Sequence, residues 1–133
     1  MKSKAKSKYL YDDKYFDSKP ELAYYIWLID QKCNFTYHPN KAFLYECNGK
    51  TYVYQPDFLV EDVFVEIKGD HFFKEDGTMQ NPYDHALDII CEAKHQCMLE
   101  NNVKIIKSSG CKLYIQYVKK TYGASFFKAL KCK

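Results

Sequence analysis

Two carboxylates and a lysine near the middle of the chain have the residue types and the spacing for hydrolytic chemistry on phosphate esters. Asp57 begins one apolar run, and Glu66 and Lys68 lie near the end of the next run. Alternate residues of a strand share a face, so Glu66 and Lys68 are expected to project from the same side. One face of a sheet would then carry acidic groups beside an ammonium group.

The two apolar runs are separated by Glu61-Asp62 alone, which predicts a β-hairpin. A two-residue turn pairs Val60 with Val63 and, at the far end of the hairpin, Asp57 with Glu66. Cβ atoms of opposed residues lie about 4.5 to 5.5 Å apart, and like charges at that distance destabilise a sheet. A cation between the two carboxylates would offset this repulsion.

Magnesium is the cation that such a pair of carboxylates suggests. Mg²⁺ prefers oxygen ligands and retains waters that can contact a substrate phosphate. Asp57 and Glu66 are therefore candidate ligands, and Lys68 is a candidate for orienting the attacking water or stabilising the developing charge. The alternative is a hairpin face that is charged without chemical purpose, which leaves the opposed carboxylates unexplained.

A helix is predicted before the hairpin. Ser18-Lys19-Pro20-Glu21 is a capping box with proline in the first turn, and apolar residues at helical spacing extend the prediction over 20–32. Glu21 would lie at the edge of the buried face. A capping-box glutamate bonds its own helix terminus, so both a capping role and a place in the acidic site remain open for Glu21.

The remaining sequence alternates between strand and helix patterns. Asn48-Gly49 predicts a hairpin between strands over 42–47 and 50–55. The later predictions are a loop over 70–82, a helix over 83–101, a strand over 103–107, and an ambiguous tail over 112–130 that favours helix and breaks at Gly123. The order is helix, three or four strands, helix, strand, helix, which predicts an α/β fold around a mixed sheet.

Length and composition predict a single globular domain. The chain has 133 residues, of which 47% are hydrophobic and 28% are charged, and no apolar run is long enough for a membrane span. We expect a flexible basic arm over 1–17 and one domain over 18–133. The basic start is not followed by an apolar stretch, which argues against secretion and predicts a cytoplasmic location.

The chain has 20 lysine residues and no arginine. Lysine suits phosphates, whereas the bidentate contact with guanine needs arginine, so contact with nucleic acid should depend on backbone charge. The six cysteines show no Cys-x-x-Cys pair and are expected to be free thiols, although Cys91 and His95 at helical spacing leave zinc as a weaker alternative. His71 and Lys94 could approach a substrate, but solvated side chains are the simpler interpretation.

Taken together, Glu21, Pro56-Asp57 and Glu66-Ile67-Lys68 resemble the PD-(D/E)XK nuclease superfamily. Within it, the segments 54–60 and 64–69 are similar to phage-encoded endonucleases of the Holliday-junction-resolving type. The resemblance covers roughly 18–109 and implies a restriction-endonuclease-like αβββαβ core, with a mixed β-sheet flanked by helices.

The resemblance also implies roles and a function. Asp57, Glu66 and the Ile67 carbonyl would hold Mg²⁺, for which Mn²⁺ would substitute, Lys68 would be catalytic, and Glu21 would complete the acidic site. The implied activity is Mg²⁺-dependent endonuclease cleavage of branched or otherwise structured DNA, encoded by a phage or mobile element and acting in the host cytoplasm. A homodimer is compatible with cutting both strands. The alternatives are a homing, nicking or repair endonuclease, a non-catalytic nucleic-acid-binding protein of the same fold, or an interaction scaffold.

Overall fold

The computed structural model of the chain describes residues 8–132. Predictions for 1–7 of the basic arm lie outside these residues. The described chain is an α/β protein with helices and a mixed sheet, as expected. It divides into two compact units, one of residues 8–33 with 108–132 and one of Asn34–Lys107. One domain over 18–133 stays a prediction.

The regular elements are, in chain order, β1 (Tyr9–Tyr11), β2 (Lys14–Phe16), α1 (Lys19–Asp30), β3 (Phe35–Tyr37), β4 (Phe43–Cys47), β5 (Lys50–Tyr54), β6 (Phe58–Val60), β7 (Val63–Lys68), α2 (Asp88–Glu100), β8 (Lys104–Lys107), α3 (Lys112–Tyr122) and α4 (Phe126–Leu130). Among the described residues, no helix has the length and apolar character needed to cross a membrane. All six cysteines are free thiols, as predicted.

The first unit begins with a hairpin where the sequence predicted a flexible arm. Strands β1 and β2 are antiparallel, with Tyr9 opposite Phe16, and both of these aromatic side chains are buried. Asp12 and Asp13 form the turn in the left-handed region, at φ 54° and 59°. The prediction is therefore wrong for residues 9–16, because an Asp-Asp turn lacks the Asn-Gly signal and the burial of two aromatic rings stabilises the hairpin.

Helix α1 begins at the predicted capping box. Ser18 is the N-cap, and its Oγ accepts the backbone N–H of Glu21 at 3.3 Å. The apolar face of α1 packs against α3, and the Tyr117 hydroxyl of α3 donates to Asp30 at 2.7 Å. The tail over 112–130 is thus helical, as the sequence pattern favoured. The predicted break is confirmed, because α3 ends at Tyr122 and Gly123 follows with a φ of 111°.

The second unit contains a four-stranded mixed sheet of order β3-β6-β7-β8. Strands β3, β6 and β7 are antiparallel neighbours, whereas β7 and β8 are parallel. Parallel strands need a crossover connection, and α2 supplies it. The predicted register of the second hairpin is confirmed, because Phe58 pairs with Val65, Leu59 with Phe64, and Val60 with Val63.

The other predicted hairpin, β4 and β5, forms a separate two-stranded sheet. Its turn places Asn48 and Gly49 at φ 52° and 77°, as an Asn-Gly turn requires. Tyr54 at the end of β5 is buried with Met79 and with residues that end α2 and precede β8, namely Cys97, Met98 and Val103. This cluster is the apolar core beneath the candidate site.

Helix α2 begins later than the predicted start at residue 83. The Asn81 side-chain oxygen accepts the N–H groups of Tyr83 and Asp84, and Asp88 accepts the N–H of Asn81. These local bonds hold residues 81–84 in a turn and compete with the helix. A single 3₁₀ turn at His85–Leu87 then leads into α2.

Candidate active site

Asp57 and Glu66 are buried acids at neighbouring positions of the second unit. Among residues 8–132 the buried charged side chains are Glu21, Asp57 and Glu66, at 5%, 6% and 5% exposure. Acidic side chains are almost never fully buried unless something compensates their charge. The acids that the sequence analysis selected are therefore the ones whose burial calls for a chemical explanation.

The carboxylate of Asp57 is held by the neighbouring strand. Asp57 lies just before β6, and its Oδ2 accepts the backbone N–H of Ile67 at 2.9 Å. The ladder between β6 and β7 comprises three pairs and ends with Phe58, so the expected ladder pair of Asp57 with Glu66 is not formed. Asp57 instead bonds to the residue after Glu66, which fixes its carboxylate at the end of the hairpin.

Glu66 is held by a buried tyrosine from the other hairpin. The Tyr54 hydroxyl donates to Glu66 Oε1 at 2.8 Å, and Tyr54 is 1% exposed. Burial and the charge of Glu66 raise the pKa of Tyr54, so the hydroxyl remains a donor. Burial, and next the charge of Asp57, raise the pKa of Glu66 to about 7, although Lys94, Tyr54 and Lys68 act in the opposite direction.

Lys68 lies two residues further along β7 and is half-buried. Its Nζ is 4.3 Å from the centroid of the Phe72 ring. Burial, and next the charge of Lys94, lower the pKa of Lys68, and the opposing effects of Glu66 and Asp57 do not reverse the direction.

Lys94 of α2 brings a second ammonium group to this region. Its Nζ is 5.5 Å from the centroid of the Tyr54 ring, and its charge acts on both Glu66 and Lys68. The side chain is half-buried rather than fully solvated. The sequence favoured a solvated side chain for Lys94, because helical spacing does not specify how α2 packs in the folded chain.

His38 is a residue that sequence reasoning missed. A ring nitrogen of His38 lies within 4.8 Å of a carboxylate oxygen of Asp57. Its backbone N–H donates to the Asp57 carbonyl at 2.8 Å, and its ring stacks on Tyr37 with centroids 3.8 Å apart. His38 also has a φ of 52°, in the left-handed region that non-glycine residues rarely adopt. No periodicity in the sequence marks His38 as a site residue.

The other candidate residues have different surroundings. Glu21 is buried on α1 in the first unit, where its Oε1 accepts the Ser18 hydroxyl at 3.3 Å, so its contribution to the acidic site stays a prediction. His71 is exposed in a 3₁₀ turn after β7. Among the described residues, Cys91, His95 and Cys97 do not form a three-ligand group.

The donor set of the second unit suits a hard divalent cation. Asp57 and Glu66 supply carboxylate oxygens, and Ile67 lies between Glu66 and Lys68 with its N–H already engaged by Asp57. Burial, and next the charge of Asp57, disfavours the ionised form of Glu66 and raises its pKa. A cation beside both carboxylates would supply the missing positive charge.

Comparison of the chain with protein-family models, with curated proteins and with solved structures gave no match. The assignment of a function therefore depends on the geometry of the site and on the sequence motif that identified it.

Proposed function

We propose that this chain is a Mg²⁺-dependent DNA endonuclease of the PD-(D/E)XK type, encoded by a phage or mobile element. The observation that carries the proposal is the burial of Asp57 and Glu66 at one end of a hairpin, with Lys68 following on the same strand. The restriction-endonuclease-like αβββαβ core belongs to the same proposal. The helix, the mixed sheet with its parallel last strand, and the crossover helix support it.

Different residues of the site would have different roles in phosphodiester hydrolysis. Asp57, Glu66 and the Ile67 carbonyl would hold Mg²⁺, which supplies positive charge to the phosphate and lowers the pKa of a bound water. Mn²⁺ would substitute for it. The bonds from Ile67 N–H and the Tyr54 hydroxyl orient the two carboxylates. Lys68 orients the attacking water or stabilises charge on the phosphoryl oxygens.

The alternatives differ in what they require of the buried acids. A non-catalytic nucleic-acid-binding protein or an interaction scaffold would gain nothing from two buried carboxylates, because they repel phosphate and cost desolvation energy. Homing, nicking and repair endonucleases use the same hydrolysis and differ in substrate. Branched or otherwise structured DNA is our preferred substrate, and a homodimer would allow both strands to be cut.

Incubation with defined DNA tests the proposal. Purified protein is mixed with supercoiled plasmid, single-stranded DNA and a four-way junction, each with Mg²⁺, Mn²⁺ or chelator. We expect cleavage with either metal and none with chelator. Glu66→Gln should not cut, whereas Glu61→Gln, an exposed acid in the turn of the same hairpin, should cut normally. Equal cutting by both variants, or no cutting by wild type on any substrate, would reject the proposal.

A further inference from the structure

The loop between β7 and α2 is held by its own hydrogen bonds. Lys74 N–H donates to the Thr78 carbonyl and Gln80 N–H to the Phe72 carbonyl, both at 2.8 Å. Phe73 and Met79 form a bridge pair, and Met79 is 1% exposed in the apolar core. The loop therefore has a defined fold, and Met79 anchors it in the apolar core.

Three aromatic side chains of this loop form a group at its surface. The His71 Nε2 atom is 2.9 Å from the Tyr83 hydroxyl, and the Phe72 and Tyr83 rings meet edge to face with centroids 6.0 Å apart. Tyr83 is nevertheless 78% exposed. We call the side chains of His71, Phe72 and Tyr83 the aromatic platform. Its rings are fixed in place by one another while a large aromatic surface remains in contact with water.

The aromatic platform adjoins the candidate catalytic lysine. Lys68 Nζ lies over the Phe72 ring, 4.3 Å from its centroid, and the positive charge of Lys94 acts on Lys68. An aromatic face beside ammonium groups is the combination that binds a nucleic-acid strand, because the base stacks on the ring and the phosphate meets the charge.

Gly69 permits this arrangement. A Cβ atom at residue 69 would lie 2.6 Å from Cε1 and 2.9 Å from Nδ1 of His71. Real Cβ contacts are essentially never that short, so any larger residue would displace the His71 ring. The glycine thus lets the platform lie close against the end of β7, where Lys68 is.

We propose that the aromatic platform stacks an unpaired nucleobase of a DNA strand whose adjacent phosphate is held at Lys68. This inference rests on the proposed function, of which it specifies the substrate class. Bases inside a duplex already stack on one another and do not offer a free face, so the platform selects single-stranded DNA or the unpaired bases at a branch or flap.

Binding in the presence of chelator tests the platform without any cleavage. The probes are a dye-labelled single-stranded DNA, the same sequence as a duplex, and the same sequence as RNA, each with the full chain. We expect Tyr83→Ala to weaken single-strand binding by about tenfold or more, while Tyr83→Phe retains the affinity. Duplex binding should change little. Leu113→Ala, which alters an apolar side chain of 75% exposure on α3, should leave both affinities unchanged.

Two further variants provide the same test if Tyr83→Ala fails to fold. His71→Ala and Gly69→Ala disturb the platform from its other side and should also weaken single-strand binding more than duplex binding. Unchanged single-strand affinity in the folded variants, or an equal loss on single strand and duplex, would overturn the platform. Tighter binding of the RNA strand would overturn its assignment to DNA.

Cleavage assays separate this proposal from the nuclease proposal. If wild type cuts DNA but the platform variants bind single strands normally, the platform is wrong and the nuclease stands. If wild type binds single strands through Tyr83 but never cuts, the nuclease is wrong and the platform stands. Absence of single-strand binding rejects the platform, and absence of cutting with metal rejects the nuclease.

Discussion

Glu66 combines burial, a hydrogen bond from Tyr54 and the nearby charge of Asp57, and this makes metal-free stability depend on pH. Its folded-state pKa of about 7 lies above the ordinary value of 4.5. The folded protein therefore resists ionisation of Glu66, and a stability penalty develops as the pH rises through that interval. Glu66→Gln removes the penalty.

Urea denaturation in chelator at about pH 5 and about pH 8 measures this linkage. We expect wild type to lose stability relative to Glu66→Gln between the two conditions, and Glu61→Gln to follow wild type. Parallel behaviour of wild type and Glu66→Gln would contradict the burial of an ionised Glu66. Added Mg²⁺ should restore wild-type stability at the higher pH, because the bound cation favours the carboxylate form.

Three substitutions test the catalytic roles directly. Asp57→Asn, Glu66→Gln and Lys68→Ala should each lower the cleavage rate by at least about 100-fold, because each removes a proposed metal ligand or a group proposed to stabilise charge at the phosphate. Circular dichroism should remain unchanged. Lys50→Ala, at an exposed position of β5, is the matched control for lysine and should cut as wild type does. Near-normal cutting by Asp57→Asn in saturating Mg²⁺ would contradict the mechanism.

Glu21 allows capping and catalysis to be separated. Glu21→Gln keeps a capping side chain and removes the charge, so stability should change by less than about 1 kcal/mol. The cleavage rate should fall if Glu21 contributes to the acidic site. Rate and melting temperature are measured on the same preparation. Normal cutting by Glu21→Gln would leave Glu21 as a helix cap alone.

The central motif could be predicted at the scale of single residues because its signal is local. Asp57, Glu66 and Lys68 are separated by one tight turn and one strand alternation. Their partners were not predictable in the same way. Tyr54 meets Glu66 through packing between two hairpins, and Lys94 arrives on a helix after a long loop, so no short-range pattern encodes either contact.

At the scale of elements, the turn of the β6–β7 hairpin offers a stability test. Glu61 and Asp62 both have positive φ, at 48° and 70°, a conformation that suits Asn-Gly far better. Replacing Glu61-Asp62 with Asn-Gly should stabilise the protein by about 1 kcal/mol. Cleavage should be unaffected, because the turn lies at the opposite end of the hairpin from Asp57.

The reverse exchange is the control for the turn. Asn48-Gly49 adopts the same conformation in the other hairpin of the second unit, at φ 52° and 77°. Replacing it with Glu-Asp should lower the melting temperature. Thermal denaturation of both variants measures the effect, and two changes of the same sign would show that backbone conformation does not determine these turns.

The prediction of elements succeeded where the signals lie within one hairpin or helix. The Asn-Gly turn, the capping box at Ser18 and the register from Val60 to Phe58 all depend on neighbours in sequence. The pairing of β3 with β6 joins residues 35–37 to 58–60 across another hairpin, which local pattern does not specify. The β1–β2 hairpin was missed because Asp12-Asp13 resembles a polar linker.

At the scale of the whole molecule, the charge is carried by lysine without arginine and sums to +3. Lysine contacts phosphates as a point charge, so DNA affinity should fall linearly with the logarithm of salt concentration. Anisotropy titrations across a salt series measure the slope. A salt-independent affinity would show that backbone phosphates contribute little.

The same absence of arginine predicts cutting that follows DNA shape. Without guanidinium groups the commonest bidentate contact with guanine is missing, so a long base sequence is not expected to determine the cut. Cleavage maps of unrelated plasmids and of junctions built from different sequences provide the measurement. Cutting that follows the branch point agrees with the prediction, whereas one fixed cut at a shared long sequence favours a homing endonuclease.

The first unit combines a segment that precedes the second unit in sequence with a segment that follows it. Helix α1 packs against α3, and residues 34–107 lie between these helices in sequence. During synthesis, α3 leaves the ribosome only after every strand of the second unit has emerged. Until then Tyr24 and Trp27 of α1, whose rings lie 5.0 and 4.9 Å from the ring of Tyr114 in the finished protein, lack that packing partner. A nascent chain that ends before α3 should therefore be retained by chaperones, and completion of α3 should release it.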